Sequence, residues 1–267
     1  MKQQPYSRFQ LARKFLRYWI RAENSRGHGV HSPFVYRLIR DVLMDRGHYY
    51  AYTSIESRRA KMERDSTPIE ILDLGAGKKG LRQSTIKAVT RRTSKSQKLG
   101  RLLFRLSNYF QPSTILELGT SMGISAAYLY AGHCRSQLYT LEGAPAVADR
   151  ARELFNDLGY EGITTITGNF DDTLVPLLQR IGKVDMVYMD GNHRLEPTLR
   201  YFRELLPHLT EESVVIMDDI HWSEEMEAAW DEVRNHPSVR CTVDLFFIGL
   251  VFFSPSFKEK QHFSIRF

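Results

Sequence analysis

From Ser113 onward the chain alternates short apolar runs with stretches of helical periodicity, and this alternation constrains the fold more than any other feature. Residues 114–118, 137–141, 163–167, 184–189 and 213–217 read as strands, with helices predicted around 123–132, 145–158, 171–181, 196–208 and 223–235. Strands separated by helices cannot join as tight hairpins. They pair in parallel and bury both faces of the sheet under helices. Near the C-terminus, "RCTVDLFFIGLVFF" places Gly249 between two β-rich runs and predicts an antiparallel pair at the sheet edge. The expected class is α/β: a doubly wound, mostly parallel, seven-stranded Rossmann-like sheet with a terminal antiparallel strand pair.

The first 94 residues have a different texture. Phe9, Ala12, Phe15, Leu16, Trp19 and Ile20 recur at helical spacing with Arg and Lys between them, so residues 6–22 predict a basic amphipathic helix. "NSRGHGVHSP" interrupts it. Ser32 and Pro33 then suit the N-cap and first turn of a helix whose apolar face is Val35, Leu38, Ile39, Val42 and Leu43. Residues 47–68 are tyrosine-rich, then charged, and end at Pro68.

With 267 residues, 42% of them hydrophobic, the chain can bury a full core in one large domain or one domain with an elaboration. No apolar run approaches the roughly 20 residues of a membrane span, and the N-terminus lacks the apolar stretch of a signal peptide. Cys134 and Cys241 make neither a metal site nor a disulfide framework, which points to a reducing cytoplasm. The net charge of +6 hides an asymmetry: residues 1–100 carry a net +14 and residues 101–267 a net −8. A basic third of this kind suits an anionic partner, whether nucleic acid, phosphorylated substrate or lipid surface. It equally suits a solvated face docking on the acidic half.

Two glycine loops compete for a nucleoside ligand: "LDLGAGKKG" at 72–80 and "LELGTSMG" at 116–123. A strand–loop–helix cradle needs a second strand ending in an acid about 20 residues on, to accept hydrogen bonds from ribose hydroxyls. Glu142 stands 19 residues after Gly123, at the end of "QLYTLE". After Gly80 the requirement fails, because no Asp or Glu occurs between Asp73 and Glu117 while Lys and Arg occur ten times. The second loop is therefore the expected cradle. The first is expected to be a turn whose backbone N–H groups, with Lys78 and Lys79, can at most hold an anion. Glu117 suits a ligand amine better than a pyrophosphate.

The spacing E-x-G-x-x-x-G with Ser125 following, "GNFDD" after the third strand, an Asp ending the fourth and the terminal strand pair together resemble the class I S-adenosylmethionine-dependent methyltransferases. "LGRLLFRLSNYFQPSTILELGTSMGISAAYLY", "VDMVYMDGNH" and "VVIMDDIHW" are similar to motifs of the catechol-type small-molecule O-methyltransferases. The resemblance covers roughly 95–254. It implies an S-adenosylmethionine-binding domain over 95–267, while residues 1–94 lie outside it and are expected to form a basic, mainly helical cap. It further implies cofactor contacts from Glu117, Gly119, Thr120, Ser121, Gly123, Ser125, Glu142, Gly143, Asn169, Phe170, Asp171 and Asp190.

Asp190, Asp218 and Asp219 fall at strand ends, and hard oxygen ligands there suit Mg²⁺ or another divalent cation. The family's matching positions are Asp, Asp and Asn, so Asp219 departs from the pattern. His193 stands where the family has a catalytic lysine and suits a general base or ligand beside Asp190. His221 and Trp222 follow as candidates for an acceptor pocket, and His28 and His31 for a lid. The implied activity is methyl transfer to a small-molecule acceptor by a cytoplasmic, metal-binding enzyme, with a homodimer among its expected states. Two alternatives stay open: a methyltransferase acting on RNA or another anionic macromolecule through the basic region, and a non-catalytic S-adenosylmethionine-binding protein.

Overall fold

The computed structural model describes residues 4–23, 30–73 and 80–267. Its main sheet has eight strands in the order β10-β8-β9-β7-β6-β3-β4-β5, and a separate two-stranded sheet pairs β1 with β2. The chain divides into two compact units, Asp45–Ile181 and Met1–Met44 with Gly182–Phe267.

In the unit Asp45–Ile181, β3 (Thr114–Leu118), β4 (Gln137–Glu142) and β5 (Ile163–Thr167) pair in parallel, Thr114 opposite Gln137 and Leu138 opposite Ile163. The connecting helices are α6 (Ile124–Gly132) and α7 (Pro145–Leu158), and α8 (Phe170–Ile181) follows β5. Their bounds lie within a residue of those predicted; α7 and α8 each bury one apolar face, while α6 is apolar nearly all round and buries Ile124 and every residue from Ala126 to Tyr130. Ahead of β3, α5 (Gln97–Phe110) buries Leu102, Leu103 and Leu106.

Leu72, Asp73 and Gly80 of "LDLGAGKKG" belong to an antiparallel strand pair. β1 (Pro68–Asp73) and β2 (Gly80–Thr85) run antiparallel, Pro68 opposite Thr85 and Asp73 opposite Gly80. Residues 74–79, with Lys78 and Lys79, lie outside the described residues, as does His28. After β2 comes α4 (Ile86–Thr93), and before β1 comes α3 (Tyr50–Met62). Ile69, Ile71, Ile86 and Val89 pack in one buried cluster with Met122, Ala144 and Val147. The strand pair thus buttresses the second glycine loop.

In the other unit, β6 (Val184–Met189) and β7 (Leu209–Asp218) are parallel, and α9 (Leu195–Leu205) links them through a short 3-10 turn at Leu206–His208. α10 (Glu224–Asn235) leads to β8 (Cys241–Asp244), which pairs antiparallel with β9 (Ile248–Phe252), and β9 pairs antiparallel with β7. Two details differ from expectation. The hairpin turn falls at Leu245–Phe247, so Gly249 is inside β9, opposite Met217 and Asp244. There the Trp230 indole fills the space a side chain would need, with Cζ3 2.6 Å from where a β-carbon would stand. The pair is also not at the edge, because β10 (Gln261–Ser264) adds an eighth strand parallel to β8. Its four residues alternate half-buried and exposed after a charged stretch, too short a signal to read as a strand.

Ser32 caps α2 (Pro33–Leu38) as expected, accepting from the Val35 N–H at 3.5 Å, and a π-turn Ile39–Leu43 continues it. At the N-terminus, α1 (Arg8–Arg21) is closed by a reciprocal capping box between Ser7 and Gln10. None of its residues is fully buried. Lys14, Phe15 and Tyr18 make the packed side. Phe15 stands edge-on to Phe246 at 5.0 Å, and Lys14 Nζ meets Glu227 at 2.8 Å.

Candidate functional site

The first constellation sits at the C-terminal ends of β3 and β4, where parallel sheets present ligands to loop backbone. Gly119, Ser121 and Gly123 all have positive φ, at 105°, 45° and 80°, which folds the loop tightly before α6. Gly119 and Thr120 donate their N–H groups to the Leu141 carbonyl at 3.1 and 3.0 Å, pinning the loop to β4. Gly123 is required twice: its φ disfavours a β-carbon, and one placed there would stand 2.8 Å from the Phe155 ring. No side chain caps α6, so its first N–H groups remain for a ligand. Ser125 lies half-buried in that first turn.

Glu142 closes the loop. Its Oε2 accepts the Ser121 N–H at 2.7 Å and its Oε1 the Ala144 N–H at 2.9 Å, leaving lone pairs on both oxygens. Burial pushes its carboxyl above the ordinary value, against the backbone N–H groups of Ala144, Ser121 and Gly143, which pull it down. Gly143 follows in the turn, and Gly168 donates to the Glu142 carbonyl at 2.9 Å. Glu117 is fully buried, with Oε2 accepting from the Thr140 hydroxyl, and Thr140 in turn meets the Thr120 hydroxyl. Thr140 was not a candidate from sequence, nor was Thr93, whose hydroxyl lies 2.6 Å from that of Ser121. Nothing in a threonine at a strand or helix end marks it as a partner. Asn169 caps the start of α8, its carbonyl accepting from the N–H groups of Asp172 and Thr173 at 3.0 Å. Phe170, half-buried, and Asp171, exposed, open that helix.

The second constellation lies in the other unit, after β6 and β7. Asp190, His193, Asp218 and Asp219 bring one ligand atom each within 4.8 Å of one another. His193 Nε2 is 3.4 Å from Asp190 Oδ1 and 4.0 Å from Asp219 Oδ2. The Tyr188 hydroxyl donates to Asp190 Oδ2 at 3.3 Å. Asp218 is 1% exposed, where water could not solvate an ionised carboxylate. Asp219 has a φ of 53° and Asn192 one of 54°, backbone states that persist only where surrounding bonds hold them. For Asp219 such a bond is its N–H to the Phe247 carbonyl at 2.7 Å. Together with Ser121, three of the five described non-glycine residues with positive φ fall in these two constellations, which sets both apart from ordinary loops.

Trp222 joins this second group, its ring 5.7 Å from that of His193. His221 turns elsewhere. Its Nε2 lies 2.8 Å from Asp244 Oδ2 and its Nδ1 3.0 Å from Glu227 Oε1, while its ring stacks on Phe246 at 5.1 Å. Burial disfavours the charged imidazole, but hydrogen bonds to Asp244 and Glu227 outweigh it and push His221 up to about 9. Glu227 is held down at about 2: burial opposes this, and hydrogen bonds from His221, Lys14 and Tyr6 prevail. His221 is therefore a charged tie between elements, engaged on both ring nitrogens.

Residues 116–220, which span the glycine loop, Glu142 and all four members of the acidic cluster, match the profile of a methyltransferase domain. The chain has the class I methyltransferase fold. Among curated proteins none matches it in sequence. Solved structures do match. An SAH-bound methyltransferase from Podospora anserina is 13% identical with a TM-score of 0.57, covering 94% of this chain and 97% of its own. An O-methyltransferase from Bacillus cereus in complex with SAH is 18% identical, TM-score 0.55, over 82% and 97%. The O-methyltransferase of tomaymycin synthesis from Streptomyces achromogenes, in complex with SAM, is 18% identical, TM-score 0.57, over 81% and 95%. Both constellations occupy strand ends rather than helix faces. No helix among the described residues is long and apolar enough to cross a membrane.

Proposed function

We propose that this protein transfers a methyl group from S-adenosylmethionine to a hydroxyl oxygen of a small-molecule acceptor, assisted by a divalent cation such as Mg²⁺. The observation that carries the reading is the cluster of Asp190, His193, Asp218 and Asp219, inside the matched methyltransferase domain. Three carboxylates within 4.8 Å repel one another unless a cation or protons compensate, and their oxygens fit a hard divalent ion, with the His193 imidazole beside them. Such an ion, when bound, lowers the pKa of a coordinated hydroxyl.

S-adenosylmethionine, when bound, supplies an electrophilic methyl group on a sulfonium. The residues do the rest. Glu142 would accept from the ribose hydroxyls through the lone pairs its two backbone contacts leave. The uncapped start of α6, with Gly119, Thr120, Ser121, Gly123 and Ser125, suits the carboxylate of the methionine moiety, and buried Glu117 its ammonium. Gly143 and Asn169 would line the nucleoside, with the Phe170 ring against adenine and the Asp171 carboxylate toward its amine. Asp190, Asp218 and Asp219 would hold the metal. His193 Nε2, beside Asp190, would take the acceptor's proton. Solved neighbours bound to SAH or SAM support the cofactor assignment.

The test is a methyl-transfer screen with labelled S-adenosylmethionine over phenols, sugars, lipids and RNA, with Mg²⁺ or with chelator. The expected result is label on a small hydroxyl compound, lost with chelator and in His193→Ala. Label appearing only on RNA would overturn the small-molecule reading. Activity indifferent to chelator would remove the metal.

A further inference from the structure

The helix α1 carries two unlike faces, and among the described residues one is packed while the other is largely exposed. Leu11, Lys14, Phe15 and Tyr18 are half-buried, and Phe15, Lys14 and Tyr18 are tied to Phe246, Glu227 and the Ile265 carbonyl. On the opposite side Phe9 is 78% exposed, Leu16 58%, Ile20 67% and Trp19 41%. At 100° per residue these four, with Ala12, form one stripe about 100° wide. Arg8 borders it on one side and Arg13 and Arg17 on the other, all exposed, with Arg21 beyond. Arg266 adds a further cation, its guanidinium 5.9 Å from the Trp19 ring. The apolar surface continues through Phe15, which stacks at 6.1 Å on Phe247, itself 39% exposed.

We propose that this face of α1 docks on an anionic lipid bilayer, the stripe Phe9–Leu16–Trp19–Ile20 entering the headgroup boundary while the flanking arginines meet lipid phosphates. A helix lying in a membrane interface needs this division: aromatic and aliphatic residues on one side, arginines at its borders. The charge argues for acidic lipid, since clustered cations near such a surface each add attraction. A nucleic acid would use the arginines but has no use for aliphatic Leu16 and Ile20, which cannot stack on bases. A second copy of the chain would bring the arginine borders of two identical faces together, where they repel. The capping box and the docked face keep the helix formed before contact, so binding carries little folding cost.

Flotation of the full chain with vesicles of phosphatidylcholine alone and of phosphatidylcholine mixed with phosphatidylglycerol tests the proposal. Binding is expected to the mixed vesicles only, weakened by salt, with Trp19 quenched by bromine-labelled acyl chains. The double variant Leu16→Asp, Ile20→Asp should lower binding by at least about tenfold. Its circular dichroism and unfolding midpoint should not change, because neither side chain packs inside the protein. Arg13→Glu with Arg17→Glu should do the same. Three outcomes overturn it: no binding to mixed vesicles, binding unaffected by the Leu16 and Ile20 changes, or a dimer without lipid that those changes dissolve. RNA binding lost in the arginine variant but kept in the Leu16–Ile20 variant, with no vesicle binding, would reassign the face to nucleic acid.

Discussion

The Ser121 N–H reaches the Glu142 carboxylate at 2.7 Å, so the last residue of one strand holds open the loop that follows its neighbour. Glu142 thereby shapes the loop, and in the proposed function it also accepts from the ribose hydroxyls. Glutamine there keeps the side-chain size but loses the charge and one of the two acceptor oxygens.

Glu142→Gln should therefore bind S-adenosylmethionine at least about tenfold more weakly than wild type, and Glu142→Ala more weakly still, losing a charge-assisted hydrogen bond worth about 1.5–3 kcal/mol. Calorimetric titration reads both. Full affinity in the alanine variant would mean the ribose is held elsewhere.

The acidic cluster makes a second prediction. Titration of the wild type with Mn²⁺, followed by the loss of its free-ion EPR signal, should show one site, abolished in Asp190→Ala and weakened in Asp219→Asn. Removing one of three mutually repelling carboxylates should also raise the unfolding midpoint in metal-free buffer. If the midpoint does not move, the three acids are already compensated without an ion.

Stability should respond to pH through His221 and Glu227. His221 is raised on folding from 6.5 to about 9, so its stabilisation is complete below about pH 6.5 and is lost as pH rises through about 9. Glu227 is lowered from 4.5 to about 2, so its contribution is present above about pH 4.5 and fades as pH falls through about 2. Thermal unfolding should show a plateau between these limbs. His221→Gln should lower the plateau and flatten the alkaline limb; an unchanged alkaline slope would place the titrating group elsewhere.

Packing makes a fourth prediction. Gly249→Ala sets a methyl group against the Trp230 ring and should cost about 1–3 kcal/mol, with a changed near-ultraviolet signal from the indole. Gly159→Ala, at a φ of 70° with open space around it, should cost about 1–2 kcal/mol from backbone strain and leave that signal alone. Denaturant titration with both probes distinguishes the two.

The strand–helix alternation after Ser113, the place of the second glycine loop between β3 and α6 and the acids at the strand ends were legible in the sequence, because each rests on local periodicity or a fixed spacing along one chain. The strand ends sit on the ligand-binding edge by topology alone, so Glu142, Asp190 and Asp219 could be named without coordinates. Partnerships between distant residues could not. That His221 is locked between Glu227 and Asp244, that Thr93 reaches Ser121, and that β1 pairs with β2 and packs Ile69 and Ile71 against Met122 all depend on chain segments whose separation carries no pattern. The same holds for α1. Its periodicity is amphipathic, yet apolar residues recur on two sides, and only the tertiary structure decided that Phe15 and Tyr18 are covered while Phe9, Leu16 and Ile20 face outward. A helical repeat fixes which residues share a face; what covers that face is settled by the rest of the fold.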